Sequence, residues 1–317
     1  MKFLSKILIL LTLFLGVIWS EILAQLKCEI TNDPAKVQIV YDDVQNFLKA
    51  MKMLGAGKNF EDIIQIEYID KASPGLKEYI REGGFTANKF VEVIQKKQDQ
   101  YHNLKSLPDQ LRSQDGSIRD ALKKLKNLIP DPVYLPIYYM VGISGDFFAQ
   151  PSEYGIMVTI SNLAEDPGVI KLALVHEIIH VQQALTIGIE EYQSILGPKM
   201  SLLALSIREG AADFLTWLST GGRTLNKAHD YFIKNEGKLW ERFKSEMNNR
   251  LPGDWMFKKP ADSDQPRDLG YIMGSKIVEA YYNRIENKEK AVKDILAITD
   301  YLGFLKKSGY AEKFSDK

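Results

Sequence analysis

This 317-residue chain has only one cysteine and no net charge. Its one cysteine, Cys28, has no second thiol to pair with, which excludes an internal disulfide and a cysteine-built zinc site and predicts a free thiol. Acidic and basic residues balance at 41 each, so the composition gives no argument for binding nucleic acid or an anionic membrane surface. Internal repeats and low-complexity tracts are missing as well, and the 45% hydrophobic share is sufficient for a sizeable globular core.

The N-terminal apolar run covers only residues 7–19. A membrane-spanning helix needs about 20 apolar residues, so this run is short for a permanent span. Two lysines precede this run, and the small Ala24 follows it. This arrangement is typical of a secretory signal peptide. We therefore predict a signal peptide at residues 1–24 and an exported protein, located in the periplasm or cell envelope or secreted. The alternative is an uncleaved anchor, because residues 22–26 partly extend the run; membrane association is expected through this segment only.

Histidine is rare in the chain, yet two of its four histidines stand in one motif, H-E-x-x-H, at His176 and His180. The motif lies in an apolar stretch, residues 169–187, that has the length of a buried helix. On a helix, both imidazoles leave the same face one turn apart and can bind one tetrahedral zinc ion. Glu177 is placed to hold a water on the metal and take its proton. The alternative is a pair of histidines that make ordinary hydrogen bonds inside a helical core.

A catalytic zinc usually has a third protein ligand, for which Glu209 is the best candidate. It lies 29 positions after His180, on the next long predicted helix, residues 201–219. The small residues at 210–212 are expected to let this helix approach the motif helix closely. Apolar neighbours predict that much of the helix is buried, and a buried carboxylate is costly without a charged partner. The alternative to a metal as that partner is an ion pair with Arg208.

Asp213 follows Glu209 by four residues and therefore shares its helix face. A metal-bound histidine generally donates its other ring N–H to a carboxylate or a carbonyl. We predict that Asp213 accepts such a bond from His176, so that one helix provides both a ligand and the partner of a ligand.

Two strands are predicted at residues 133–143 and 154–160, where Val, Ile and Tyr are frequent, with a loop at 145–153 between them. A strand beside a metal site can bind an extended peptide by strand addition, and residues 155–160 are our candidate for such an edge; the alternative is an inner strand. The remaining chain is predicted to be helical, which makes the fold class α+β and mostly α-helical. The helices are predicted at residues 42–54, 60–69, 86–107, 111–128, 169–187, 201–219, 224–247, 269–285 and within 288–306.

The order His176-Glu177-x-x-His180 followed by Glu209-x-x-x-Asp213 resembles the zincin metallopeptidases whose third ligand is a glutamate, the gluzincin or thermolysin-like group. The wider sequence resembles an uncharacterised bacterial family of predicted zinc-dependent proteases related to gliding-motility envelope proteins. The matching stretches are residues 68–71 with 74–76, 175–183, 209–214 and 268–271.

The resemblance implies one zincin-like domain over residues 25–317, with a small sheet packed on the motif helix. It also implies the zinc ligands His176, His180 and Glu209, with Glu177 as the general base. The interval between His180 and Glu209 is longer than in thermolysin, so the detailed thermolysin geometry is not carried over. The close family is uncharacterised and lends no substrate.

These residues together predict a zinc-dependent hydrolase that cleaves a peptide or protein substrate. The oxyanion formed during hydrolysis needs a further hydrogen-bond donor. Our candidates are Tyr271 and Arg267, with His229 as a third, and a structural role is the alternative for each. The rival function is a non-catalytic cell-envelope or binding protein that retains a zinc site, and a zinc hydrolase with a non-peptide substrate is a further alternative.

Overall fold

The computed structural model describes most of the chain that follows the predicted leader. The described residues are 27–54, 59–102, 104, 107–143, 149–160, 169–258, 260 and 264–315, with residues 102 and 189 described without their side chains. The predicted signal peptide and the alternative anchor lie outside the described residues. Cys28 has no disulfide partner, as a single thiol requires.

The chain divides into two compact units. The sheet unit consists of the described residues within Ala24–Lys123 and Asp131–Ile178, and the helical unit consists of those within Lys124–Pro130 and Ile179–Lys317. The prediction of a single domain over residues 25–317 is not tested by this division and stays a prediction. In the part of the chain that the structure describes, none of the helices combines the length and the apolar character needed to cross a bilayer.

The sheet unit begins with helices and short strands, and capping side chains explain several helix boundaries. Ser73 accepts a hydrogen bond from the backbone N–H of Leu76, and Pro74 occupies the first helical position. Pro108 begins a helix instead of ending one, because proline is tolerated in a first turn. The elements are β1 (Ile39–Val40), α1 (Asp42–Lys52), α2 (Phe60–Ile64, continued by a π turn to Ile69), α3 (Pro74–Gly83), α4 (Ala87–Lys96), α5 (Gln98–His102), α6 (Leu107–Ser113), α7 (Asp115–Leu128), β2 (Ile137–Met140), β3 (Ala149–Ser152) and β4 (Gly155–Thr159).

The four strands form one mixed sheet in the order β1-β2-β4-β3, in which only the β3–β4 pair is antiparallel. Residues 155–160 were our candidate for an edge strand, with an inner strand as the alternative, and the alternative is correct: β4 pairs with β2 on one side and with β3 on the other. All five residues of β4 are buried, which is typical of an inner strand and explains their continuous apolar run. The prediction of a loop at 145–153 is wrong for Ala149–Ser152, which form β3. This strand is difficult to predict because it contains Pro151, a residue type that is tolerated in edge strands but is more typical of loops.

Three buried tyrosines hold the chain that leaves β2. Tyr68 Oη donates to the carbonyl of Val141 at 2.7 Å, and Tyr101 Oη donates to the carbonyl of Gly142 at 3.0 Å. Tyr79 Oη accepts from the backbone N–H of Ile143 at 2.8 Å. Because side chains satisfy these backbone groups, the strand predicted to reach residue 143 ends earlier, at Met140.

Most of the helical unit follows the predicted pattern of long helices. The motif helix α8 (Ile170–Ile187), which begins in the sheet unit, matches the predicted apolar stretch. The later helices are α9 (Ile189–Ser194), α10 (Leu202–Thr220), α11 (Asn226–Glu246), α12 (Leu269–Arg284), α13 (Lys288–Leu296) and α14 (Tyr301–Ser308). Ser201 caps the N-terminus of α10, and Gly221 ends it with φ of +75° in the left-handed region. The mostly helical α+β class with a small mixed sheet is confirmed, while the zincin architecture and the packing of the sheet on α8 stay predictions.

Helices α10 and α12 approach until their backbones touch, and glycines make this contact. A Cβ atom on Gly274 would lie 1.7 Å from the carbonyl oxygen of Ser206, and one on Gly210 would lie 2.1 Å from the backbone nitrogen of Ser275. Gly210 was expected to bring α10 close to the motif helix, but its missing side chain accommodates α12. This close packing fixes the helix that carries Glu209.

We expect Gly274→Ala to destabilise the protein by about 1–3 kcal/mol or more, because the added methyl group meets backbone that has no room to yield. Gly237→Ala on α11 is the matched control. Its Cβ atom would meet only Phe314 at 3.9 Å, so alanine should stabilise that helix by about 0.5–1 kcal/mol. Denaturant unfolding of both variants measures the difference, and equal stabilities would contradict the close approach.

Candidate metal centre

Helix α8 presents both motif histidines on one face, and α10 brings Glu209 to them. One ligand atom from each of His176, His180 and Glu209 lies within 4.8 Å of the other two, so the group can hold a metal ion. A tetrahedral zinc with bonds of about 2.0–2.1 Å spaces its ligand atoms about 3.3 Å apart. His180 Nε2 lies 3.1 Å from Glu209 Oε2, which is close to this spacing. The predicted set of three ligands is therefore brought together by the fold.

The ligand group is buried, and Glu177 beside it is less so. His180 and Glu209 are each only 5% exposed, whereas Glu177 is half-buried. Glu177 follows His176 on the helix and therefore points about 100° further round the axis. The catalytic role of this predicted base stays a prediction.

His180 is oriented by two side chains that sequence reasoning did not identify. Its Nδ1 lies 2.8 Å from Gln183 Oε1 and 3.0 Å from Tyr192 Oη. An amide oxygen accepts hydrogen bonds, so Nδ1 donates its N–H to Gln183, and Nε2, which faces Glu209 Oε2, is the ring nitrogen left to bind a metal. Gln183 could have been suggested by its position three residues after His180 on the same helix, whereas no spacing rule indicates Tyr192.

Glu209 has different partners for its two carboxylate oxygens. Oε1 accepts from Arg208 Nε at 3.2 Å and from Arg208 Nη2 at 2.6 Å, while Oε2 faces His180. The sequence analysis gave Glu209 two alternative roles, as a metal ligand or as the partner of Arg208 in an ion pair. The geometry allows Glu209 to have both roles at once. Burial alone would lower the pKa of Arg208, but Tyr192 and Glu209 outweigh this effect and raise its pKa, which keeps the guanidinium charged.

Tyr271 and Arg267, the two main candidates for an oxyanion donor, differ in their surroundings. Burial raises the pKa of Tyr271 well above its ordinary value, and the charges of Glu209 and Asp268 raise it further. Tyr271 therefore stays a protonated phenol within the electrostatic field of the ligand carboxylate. The Arg267 side chain is 58% exposed, with Nε 3.8 Å from an oxygen of Asp268. Both catalytic roles stay predictions.

Asp213 and His229, the remaining candidates, line the same small surface pocket in the helical unit. Thr216, Arg223 and Ser275 contribute to its wall. Desolvation lowers the pKa of His229, and the positive charges of Arg223 and Lys276 lower it further. The hydrogen bond predicted from His176 to Asp213 stays a prediction, as does the role of His229 as a donor.

Comparison with known proteins adds no relative to these observations. No family model, no curated protein and no solved structure matches the chain. The resemblance to the gluzincins therefore depends on the sequence motifs, and the capacity to hold a metal ion depends on the geometry of the three side chains.

Proposed function

We propose that this protein is a zinc-dependent hydrolase, and specifically a metallopeptidase of the gluzincin type. The observation that carries the proposal is the convergence of two imidazoles and one carboxylate, His176, His180 and Glu209, within 4.8 Å. Nitrogen and oxygen donors of this kind suit zinc, and three protein ligands are the number that catalytic zinc sites use with one position left for water. The tautomer of His180 fits the same role, because its Nδ1 contacts Gln183 and Tyr192.

A bound zinc ion would supply a Lewis acid that polarises the scissile carbonyl and lowers the pKa of water toward about 7. Glu177 accepts the proton of the attacking water and passes it to the leaving amine. Its half-buried position beside His176 leaves it within reach of a substrate. Tyr271, which stays protonated because its pKa is raised, donates a hydrogen bond to the oxyanion. Arg267 and His229 are the alternative donors.

The substrate in this proposal is a peptide or a protein, and nucleic acid is not expected as a partner because acidic and basic residues balance. An exported location, in the periplasm or envelope or outside the cell, follows from the proposed signal peptide at residues 1–24. The second candidate is a non-catalytic envelope or binding protein with a metal site. The burial of His180 and Glu209, each 5% exposed, favours it, because a catalytic metal must be reached by water and substrate, whereas a structural metal need not be.

We expect the purified mature chain to contain one zinc ion and to cleave members of a peptide library. Removal of the metal with 1,10-phenanthroline should abolish cleavage, and added zinc should restore it, because the reaction needs the ion. Metal content is measured by atomic emission and cleavage by mass spectrometry of the library. A zinc-loaded chain that cleaves no peptide would favour the non-catalytic candidate, and a chain that binds no zinc would contradict both.

A further inference from the structure

The two oxygens of Glu209 have unequal surroundings, and this inequality bears on how the carboxylate can bind a metal. Oε1 receives both the Nε–H and one Nη2–H of Arg208, at 3.2 and 2.6 Å. Oε2 lies 3.1 Å from Nε2 of His180, another member of the ligand group. Hydrogen bonds between a guanidinium and a carboxylate are charge-assisted and directional, so Oε1 is held away from the metal position.

The guanidinium that holds Oε1 is itself fixed in place. The Arg208 side chain is 10% exposed, and its guanidinium carbon lies 5.2 Å from the centre of the Tyr192 ring. The backbone carbonyl of Arg208 accepts a hydrogen bond from Gln183 Nε2 at 3.1 Å. Tyr192 and Gln183 are also the two partners of His180 Nδ1, so the same two side chains position both a metal ligand and Arg208.

The hydrogen bonds of the Arg208 guanidinium are directed at Glu209, and within the described part of the chain its third nitrogen, Nη1, makes none. Nη1 is buried and has no hydrogen-bond partner among the described residues. Burying a charged group is costly when its donors are unsatisfied, and here the donors that are satisfied both bind Glu209 Oε1. The guanidinium also stacks on Tyr192 and interacts electrostatically with Tyr301.

We propose that Arg208 is a positioning residue that restricts Glu209 to binding the metal through one oxygen, Oε2, and so keeps a coordination position open. A carboxylate that bound through both oxygens would add a fourth protein donor and close the site to water. Arginine suits this role because its planar fork holds an oxygen with two N–H groups, which the single ammonium of lysine cannot reproduce. This inference rests on the proposed metal site, but it concerns the ligand geometry rather than the reaction.

The test compares Arg208→Gln and Arg208→Lys with the unaltered chain, each loaded with cobalt(II), whose visible spectrum reports its coordination. Azide binding probes the open position, and X-ray absorption gives the distance from the metal to the Glu209 carboxyl carbon, which is shorter for a two-oxygen carboxylate. We expect azide affinity to fall by about 10–100-fold in both variants, as for loss of other residues that support a metal ligand, and the carboxyl carbon to move closer to the metal.

Arg242→Lys is the matched control, because Arg242 also stacks on an aromatic ring, that of Trp255 at 5.0 Å, and also pairs with a glutamate, Glu246. It should bind azide as the unaltered chain does. The proposal is overturned if Arg208→Lys keeps both the azide affinity and the one-oxygen geometry, or if it folds but no longer binds cobalt at all. Absence of cobalt binding in the unaltered chain would overturn the metal site itself, whereas normal spectra without peptide cleavage would contradict only the hydrolase.

Discussion

The Glu177→Gln variant is expected to retain its metal and to lose hydrolysis by a factor of about 10²–10⁴, the usual contribution of a positioned general base. Glutamine keeps the size and shape of the side chain but cannot accept a proton from water at neutral pH. The three ligand atoms belong to other residues, His176, His180 and Glu209, so the metal content should not change. Cleavage of a library-derived peptide and metal analysis of the same sample measure the two quantities together.

Glu190→Gln is the matched control for this substitution. Glu190 is an exposed glutamate on the short helix α9, just after the motif helix, and it has no proposed role. Its variant should cleave peptide at the rate of the unaltered chain. Activity near that rate in the Glu177 variant would remove Glu177 from the mechanism, even if the metal site were intact.

The parts of the site that the sequence predicts are those governed by short-range helix geometry. His176 and His180 lie one turn apart because the helical repeat is 3.6 residues, and this holds for any packing of α8. Glu209 was predicted from the cost of burying a carboxylate within an apolar helix, and the residue is indeed 5% exposed. Ser201 and Gly221 mark the ends of α10 by their capping chemistry, which is also local.

The features that sequence reasoning missed depend on which elements meet in space. Strand β3 contains Pro151 and has only four residues, so nothing in its own sequence distinguishes it from a loop until β4 pairs with it. β4 became an inner strand for the same reason. The contact of His180 with Tyr192 requires α9 to fold back on α8, which no spacing in the sequence specifies. The sequence analysis considered Arg208 only as an alternative to the metal as the partner of Glu209. In the structure the guanidinium of Arg208 binds one carboxylate oxygen of Glu209, and the other oxygen faces His180.

Substitution of Glu209 should have the largest effect on metal binding, and two variants separate that effect from folding. Glu209→Ala removes the ligand and also leaves the buried Arg208 without its acceptor, which we expect to destabilise the fold by about 3–5 kcal/mol. Glu209→Gln keeps a carbonyl oxygen for Arg208 but replaces the carboxylate with a neutral, weaker ligand. Both variants should bind zinc more than about 100-fold more weakly, since loss of a direct ligand exceeds the loss of a residue that merely supports one.

Competition with a zinc-chelating dye measures the affinity, and denaturant unfolding of the metal-depleted proteins measures the stability. Glu241→Ala, an exposed glutamate paired with Lys244 on α11, is the control and should change neither quantity appreciably. Because Glu209→Gln keeps an acceptor for Arg208 but removes its counter-charge, its stability should fall less than that of Glu209→Ala, while its zinc affinity falls. Unchanged zinc affinity in a folded Glu209→Gln protein and in Glu209→Ala would mean that the third ligand lies elsewhere, and the hydrolase would then lack its geometric basis.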